Sequence, residues 1–320
     1  MDSTRLCLLA LELLDHPGWS AEREIGVLYA LSNHTERHYR KIILFKRDGG
    51  SRTLFAPDRL LKTVQRNILK NVLSFFPVSP FATAYRTGCT LSGNAYPHLR
   101  QPQLLKLDIE QFFDNISWLQ VWRLFRQTTL PVNVVTLLTC LCCRHDALPQ
   151  GAPTSPAISN LVMRHFDEQI GQWCQARGIT YTRYCDDMTF SGNVNARQVK
   201  NKVSGLLNGM GLNLNKRKSC LLTADKRQTV TGIVVNEKLQ LSREQRRTLR
   251  QEVFYCQKYG VISHLMHSGK LNLSADHNEQ ARTYLHSLQG RIGWLLQVNP
   301  EDKVFQQAHQ LVKRLSIATL

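Results

Sequence analysis

The feature that most constrains this chain is a pair of adjacent carboxylates set between apolar strands. Residues 180–192, TYTRYCDDMTFSG, read as two short strands around a tight turn at Asp186-Asp187. Neighbouring negative charges repel, so such a turn invites a cation. A second acid stands upstream: QLLKLDI, residues 103–109, reads as a short apolar strand ending in Asp108. A lone acid there is costly unless exposed or paired. Hard oxygen ligands of this kind suit Mg²⁺, which takes one or two carboxylates plus substrate phosphates. Taken alone, a bare Asp-Asp is better read as an ordinary Asx turn, and the upstream acid adds little.

The rest of the chain supplies the frame. Helical periodicity covers residues 5–14 and about 20–33. YRKIILFKRDGGSRTLFAP (39–57) reads as a β-hairpin turning at Asp48-Gly49-Gly50 and ended by Pro57. A helix is expected over 58–76, with Leu60, Leu61, Val64, Ile68, Leu69, Val72 and Leu73 on one face. A helical region should follow Asp108 through about 145. LPQGAPTSP (148–156) is a turn leading into a helix at about 157–176. A further helix over 195–210 should stop at Gly211. Strands are expected over about 219–223 and 228–241, and the remainder is mainly helical. This order describes an α+β core with a helical C-terminal module.

Charge narrows the partner. The chain of 320 residues carries a net charge of +17. Residues 36–70 hold ten Lys/Arg against three acids, and residues 197–250 thirteen against three, so these two windows carry the whole imbalance. Basic charge concentrated in this way suits a polyanion, and nucleic acid fits better than an anionic membrane face. No segment approaches the apolar length of a membrane span, about 20 residues. The start, MDSTRLCLLALELLDHPG, reads as an amphipathic helix rather than a signal peptide. The expected location is the cytoplasm. The nine cysteines, three of them within the apolar run VVTLLTCLCC, read as small buried hydrophobes in a reducing compartment.

Three segments occur in order: KLDIEQFFDNI, LPQGAPTSPAISNL and TRYCDDMTFSG. Together they resemble the central palm motifs of reverse transcriptases. SRTLFAPDRLLKTVQRNIL (51–69) is similar to the fingers of that family, and GLNLNKRKS (211–219) to its next palm motif. The likeness spans about residues 37–240. It implies a right-hand polymerase of α+β class, with fingers, a palm built on an antiparallel sheet and a helical thumb. The domains expected are N-terminal helices (1–36), fingers (37–102), the first part of the palm (103–116), a fingers/palm insertion (117–155), the second part of the palm (156–235), and a thumb with C-terminal RNA-binding helices (236–320). Cys185 departs from the Ala usual in this branch; a small side chain remains, and no loss of activity is expected.

The resemblance also implies roles. Asp108 and Asp186 match the main ligands of two Mg²⁺ ions, for which Mn²⁺ can substitute, and Asp187 matches a supporting carboxylate. Phe113 takes the aromatic gate position that would crowd a ribose 2′-OH; by its own pattern it reads as core beside Phe112. Gln150 and Gly151 match the turn that contacts the incoming nucleotide. Arg52, with Lys46 or Arg47, matches the fingers cations that grip the triphosphate. Lys218 matches a lysine that protonates the leaving pyrophosphate; it reads equally as a solvated lysine beside Lys216 and Arg217.

Two short elements point to the retron branch. Asn94-Ala95-Tyr96-Pro97-His98 fits its NAxxH element, and Val230-Thr231-Gly232 its VTG element. On composition His98 is an ordinary polar loop residue. The resemblance implies RNA binding by Asn94, His98, Val230, Thr231 and Gly232. It further implies a structured noncoding RNA as cognate partner, deoxynucleoside triphosphates as substrates, and a guanosine 2′-OH primer. The product would be a branched RNA–DNA molecule, in an anti-phage system that includes an effector protein. The alternatives are another group II intron-like or abortive-infection reverse transcriptase, or a non-catalytic RNA-binding scaffold on the same fold. The intact carboxylates and the two short elements weigh against both.

Overall fold

Turn chemistry and strand alternation produce the sheet elements where the sequence places them. β1 (Tyr39–Phe45) and β2 (Ser51–Pro57) pair antiparallel, from Tyr39 opposite Pro57 to Phe45 opposite Ser51. Four further strands form one sheet: β3 (Gln103–Asp108), β4 (Thr180–Tyr184), β5 (Asp187–Ser191) and β6 (Cys220–Thr223), in the order β4-β5-β3-β6. The computed structural model describes residues 3–14, 16–45, 49–272 and 274–318. Lys46, Arg47 and the turn residue Asp48 therefore lie outside the described residues.

The chain divides into two units, Met1–Cys89 with Leu105–Leu221, and Thr90–Leu104 with Leu222–Leu320. In the first, helix Arg59–Asn71 begins at Asp58, whose carboxylate accepts from the Leu61 N–H at 2.9 Å. It buries Leu61, Val64 and Ile68. It stops five residues short of the expected end, because Val72 leaves helical backbone angles and a short 3₁₀ turn, Leu73–Phe75, follows. Gln65 on the same buried face donates to the Leu141 carbonyl at 2.8 Å and to the Tyr39 hydroxyl at 2.7 Å. The helix expected over 157–176 is two helices, Ser155–Val162 and Arg164–Gln175, interrupted at Met163. Helix Ala196–Gly209 ends before Gly211, which takes a φ of 74°.

The second unit has its own core, which gathers Ala95, Leu104, Val230 and Ile233 with Leu249, Leu285, Leu288 and Ile292 of the C-terminal helices. The long strand expected over 228–241 is a small hairpin, β7 (Thr229–Val230) with β8 (Ile233–Val234). Thr231 and Gly232 between them have φ of 47° and 82°. Positive φ at both positions defines the turn that matches strand twist, and glycine supplies it without steric cost. The Thr231 hydroxyl reaches the Leu91 carbonyl at 3.5 Å, beside the short helix Leu91–Ala95. The NAxxH and VTG elements thus meet inside one unit, although 132 residues separate their ends by number from His98 to Val230.

The five residues expected to bind RNA differ in burial. Asn94 is 1% exposed, and His98 and Val230 are 0% exposed. Their side chains pack inside the second unit, while Thr231 and Gly232 reach its surface. Burial also lowers the His98 imidazole from 6.5 to about 4. Between those values the unfolded chain binds the proton more readily. Stability is therefore full above pH 6.5 and is lost as the pH falls toward 4, by about 3 kcal/mol in all. The melting temperature of His98→Gln should fall less steeply with acid than that of the wild type; parallel slopes contradict the assignment.

Candidate active site

β3 carries Lys106 and Asp108 on one face, two residues apart, while Leu105, Leu107 and Ile109 are buried. Asp108 ends the strand and is itself buried, at 4% exposure. Backbone bonds fix its neighbours. The Ile109 N–H donates to the Asp186 carbonyl at 3.1 Å, which brings the acidic turn beside the end of β3. On the other side, Asn215 N–H donates to the Asp108 carbonyl at 2.8 Å and Glu110 N–H to the Asn213 carbonyl at 2.9 Å. The Asn215 side chain accepts from Arg217 N–H at 3.2 Å and opens a 3₁₀ turn, Lys216–Lys218. That turn returns Lys218 to the site, where its ammonium donates to Asp108 Oδ2 at 2.8 Å. Lys218 is thus not merely a solvated lysine.

β4 and β5 pair from Thr180 opposite Ser191 to Tyr184 opposite Asp187, leaving Cys185 and Asp186 as the loop. Cys185 has a φ of 60°. Burial first, then the negative Asp186, pushes its thiol up to about 12. The Asp187 carboxyl is raised by burial, then by repulsion from Asp186, against the pull of Lys106; Asp108 raises it further and Lys218 lowers it. The three acids therefore share one electrostatic site although Asp187 remains solvent-accessible. Lys218 is raised by its hydrogen bond to Asp108, so its ammonium is kept protonated.

The donor set fits a hard divalent cation. It is all-carboxylate, and Lys106 and Lys218 offset part of its negative charge. Among the described residues no group of three His, Cys, Asp or Glu side chains is already assembled around a metal position.

The turn carrying the expected nucleotide-site residues is joined to β2 by backbone contact. The Gln150 carbonyl accepts from Phe55 N–H of β2 at 2.7 Å. Gly151, at a φ of 121°, lies so close to β2 that a Cβ would stand 2.8 Å from the Phe55 carbonyl oxygen. Ser155 pins the same turn by donating to the Pro149 carbonyl at 2.8 Å. Arg52 is exposed on β2 opposite Leu44. Phe113 is half-buried with its ring 5.4 Å from that of Phe112, so it both packs on the core and keeps an accessible edge.

Several residues of this region were not singled out from sequence. Arg144 lies with its guanidinium carbon 3.9 Å from the centre of the Phe55 ring, beside the 150–151 turn. Tyr85 donates to Cys185 Sγ at 3.6 Å. Arg183 and Asp167 form a fully buried ion pair. Their signal is present in the sequence: an arginine within an apolar strand, TYTRY, and an acid on the apolar face of a helix beside Phe166 and Ile170.

Comparison with known proteins finds a family and individual relatives. The sequence profile of the family described as "Reverse transcriptase (RNA-dependent DNA polymerase)" matches residues 44–249. The chain is similar to the Retron Ec86 reverse transcriptase of Escherichia coli, 31% identical over 249 residues that cover 76% of this chain and 78% of that one. It is also similar to the Retron Mx65 reverse transcriptase of Myxococcus xanthus, 31% identical over 330 residues, covering 93% and 72%. A solved structure of telomerase from Candida albicans with a fragment of telomeric RNA aligns over 94% of this chain and 68% of its own, at 10% identity and a TM-score of 0.46.

Proposed function

Because the chain belongs to the retron-type reverse transcriptases, which are RNA-directed DNA polymerases, we propose that it copies part of a cognate structured noncoding RNA into branched single-stranded DNA from a guanosine 2′-OH. The observation that carries the site assignment is the bond from Ile109 N–H to the Asp186 carbonyl, with Lys218 seated on Asp108. Asp108 and Asp186 would hold two Mg²⁺ ions, or Mn²⁺ in their place, with Asp187 in support; bound there, the ions would supply Lewis-acid activation of the attacking hydroxyl and charge stabilisation at the leaving pyrophosphate.

The chain's own groups do the rest. Lys218 holds the Asp108 carboxylate in place and, kept protonated, supplies a proton to the departing pyrophosphate. Gln150 and Gly151 bring the incoming deoxynucleoside triphosphate against β2, from which Arg52 meets its phosphates. The accessible edge of Phe113 crowds a 2′-OH and favours deoxynucleotides. Lys46 or Arg47, from the sequence between β1 and β2, is the further cation proposed to grip the triphosphate. The first unit takes the palm and fingers and the second the thumb, with the Thr231-Gly232 turn as an RNA contact. The basic window 197–250 tracks the RNA or hybrid backbone, which is recognised through shape, phosphates and 2′-OH groups.

The retron assignment favours a role in anti-phage defence with an effector protein, in the bacterial cytoplasm. No helix among the described residues is long and apolar enough to cross a membrane. The test is expression of the gene with its immediately flanking DNA. A small branched DNA should accumulate with the wild type and vanish when Asp108 is replaced by Asn. Activity on a generic primed RNA without any branched product would favour another branch of the family.

A further inference from the structure

We propose that Arg183 is a positioning residue: its buried guanidinium fixes the Cys185 carbonyl and thereby sets where Asp186 stands. The inference rests on the role given to Asp186 above. Arg183 and Asp167 are both fully buried, with Nε 2.8 Å from Oδ1 and Nη2 2.5 Å from Oδ2. The Tyr181 hydroxyl donates to the same Oδ1 at 2.9 Å. This leaves Nη1, which points at the loop. It donates to the Cys185 carbonyl at 2.8 Å and to Asn160 Oδ1 at 3.2 Å. Asn160 in turn donates to the Ala84 carbonyl at 2.8 Å. The Arg183 backbone is held as well, bonded through N–H to the Phe81 carbonyl and through C=O to Thr83 N–H, each at 2.8 Å.

Stability alone does not account for this arrangement. A buried ion pair contributes little compared with an apolar pair of the same volume, because both charges must leave water. The geometry at the loop supplies another reason. Cys185 sits at a φ of 60°, a left-handed conformation that a side chain disfavours and that persists only where the surroundings enforce it. The Nη1 bond closes on the carbonyl of that residue, and Asp186 comes next. The Asp186 carbonyl is tied separately to Ile109 N–H. Among the described residues the loop's two carbonyls therefore have separate anchors, Asp186 on β3 and Cys185 on Arg183, beside the Tyr85 hydroxyl that donates to Cys185 Sγ. Lysine cannot replace the second, because a single ammonium does not present a planar fork to Asp167 and a further donor to the loop.

Two variants test this, Arg183→Lys and the apolar exchange Arg183→Met with Asp167→Leu, which leaves no charge buried. For each, four quantities are measured: thermal melting, affinity for a primed RNA, kcat and KM for a deoxynucleotide, and peptide-resolved alkylation of Cys185. Cys185 is 7% exposed, so its alkylation reports opening of the loop. The expected result is a folded protein with RNA affinity and KM within about threefold of wild type, kcat lower by about 30-fold, and Cys185 alkylated about tenfold faster. A folded variant with wild-type kcat and alkylation overturns the proposal. Loss of folding in both variants also overturns it, in favour of a purely scaffolding pair. Asp186→Asn is assayed alongside: if it stays active, the role of Asp186 fails, whatever Arg183 does.

Discussion

Replacing Asp186 and Asp187 together by Asn should reduce DNA synthesis on a primed RNA by about 10³-fold or more, about 4 kcal/mol of transition-state stabilisation, with RNA affinity within about threefold of wild type. The exchange keeps shape and removes charge, so it opens no cavity. Asp187 is raised by burial and by the neighbouring negative charges, which means that its ionised form is disfavoured in the folded chain. Neutral side chains relieve that repulsion. The variant should therefore melt at or above the wild-type temperature while being inactive, a separation that general misfolding does not produce. Primer extension, filter binding and a melting curve on the same preparation check all three. Extension at wild-type rate would remove these carboxylates from the chemistry.

The second large effect is expected at Gly151. Its φ of 121° suits glycine, and a Cβ there meets the Phe55 carbonyl oxygen at 2.8 Å. Gly151→Val must push β2 away from the turn and break the 2.7 Å bond between Phe55 N–H and the Gln150 carbonyl. Overpacking of this kind costs about 1–3 kcal/mol in stability. Activity should suffer more, because the nucleotide turn and the hairpin carrying Arg52 lose their registration. kcat/KM for the deoxynucleotide should fall by about 10²-fold, mostly through KM. Gly205 provides the contrast, since it lies in helix Ala196–Gly209 with nothing within 4 Å of a built Cβ. Gly205→Ala should leave activity unchanged and stabilise the helix by about 0.5–1 kcal/mol. Steady-state kinetics on the two variants checks the pair, and an unchanged KM in Gly151→Val contradicts the role of the turn.

What the sequence made legible was local. The carboxylate loop, the strand ending at Asp108, the β1–β2 hairpin and the end of helix Ala196–Gly209 all follow from short-range alternation and turn chemistry, and the structure places them where that pattern puts them. Long-range pairings were not legible. Nothing near Gln150 says that its carbonyl meets Phe55, and nothing near Lys218 chooses it over Lys216 as the partner of Asp108. His98 reads as a polar loop residue because polarity is visible in sequence and burial is not; the hairpin at Val230–Ile233 packs against its segment from far along the chain. Arg183 and Asp167 were not singled out, because only the folded chain shows that each is the other's partner.

The most direct measurement is incorporation of one labelled deoxynucleotide by the purified chain on a primed RNA, with Mg²⁺ present, removed by chelator and restored. The account predicts template-directed addition that stops on chelation, resumes with Mg²⁺, and is absent when Asp108 is Asn. Addition that continues in full without a divalent cation, or in the Asp108→Asn chain, would contradict it.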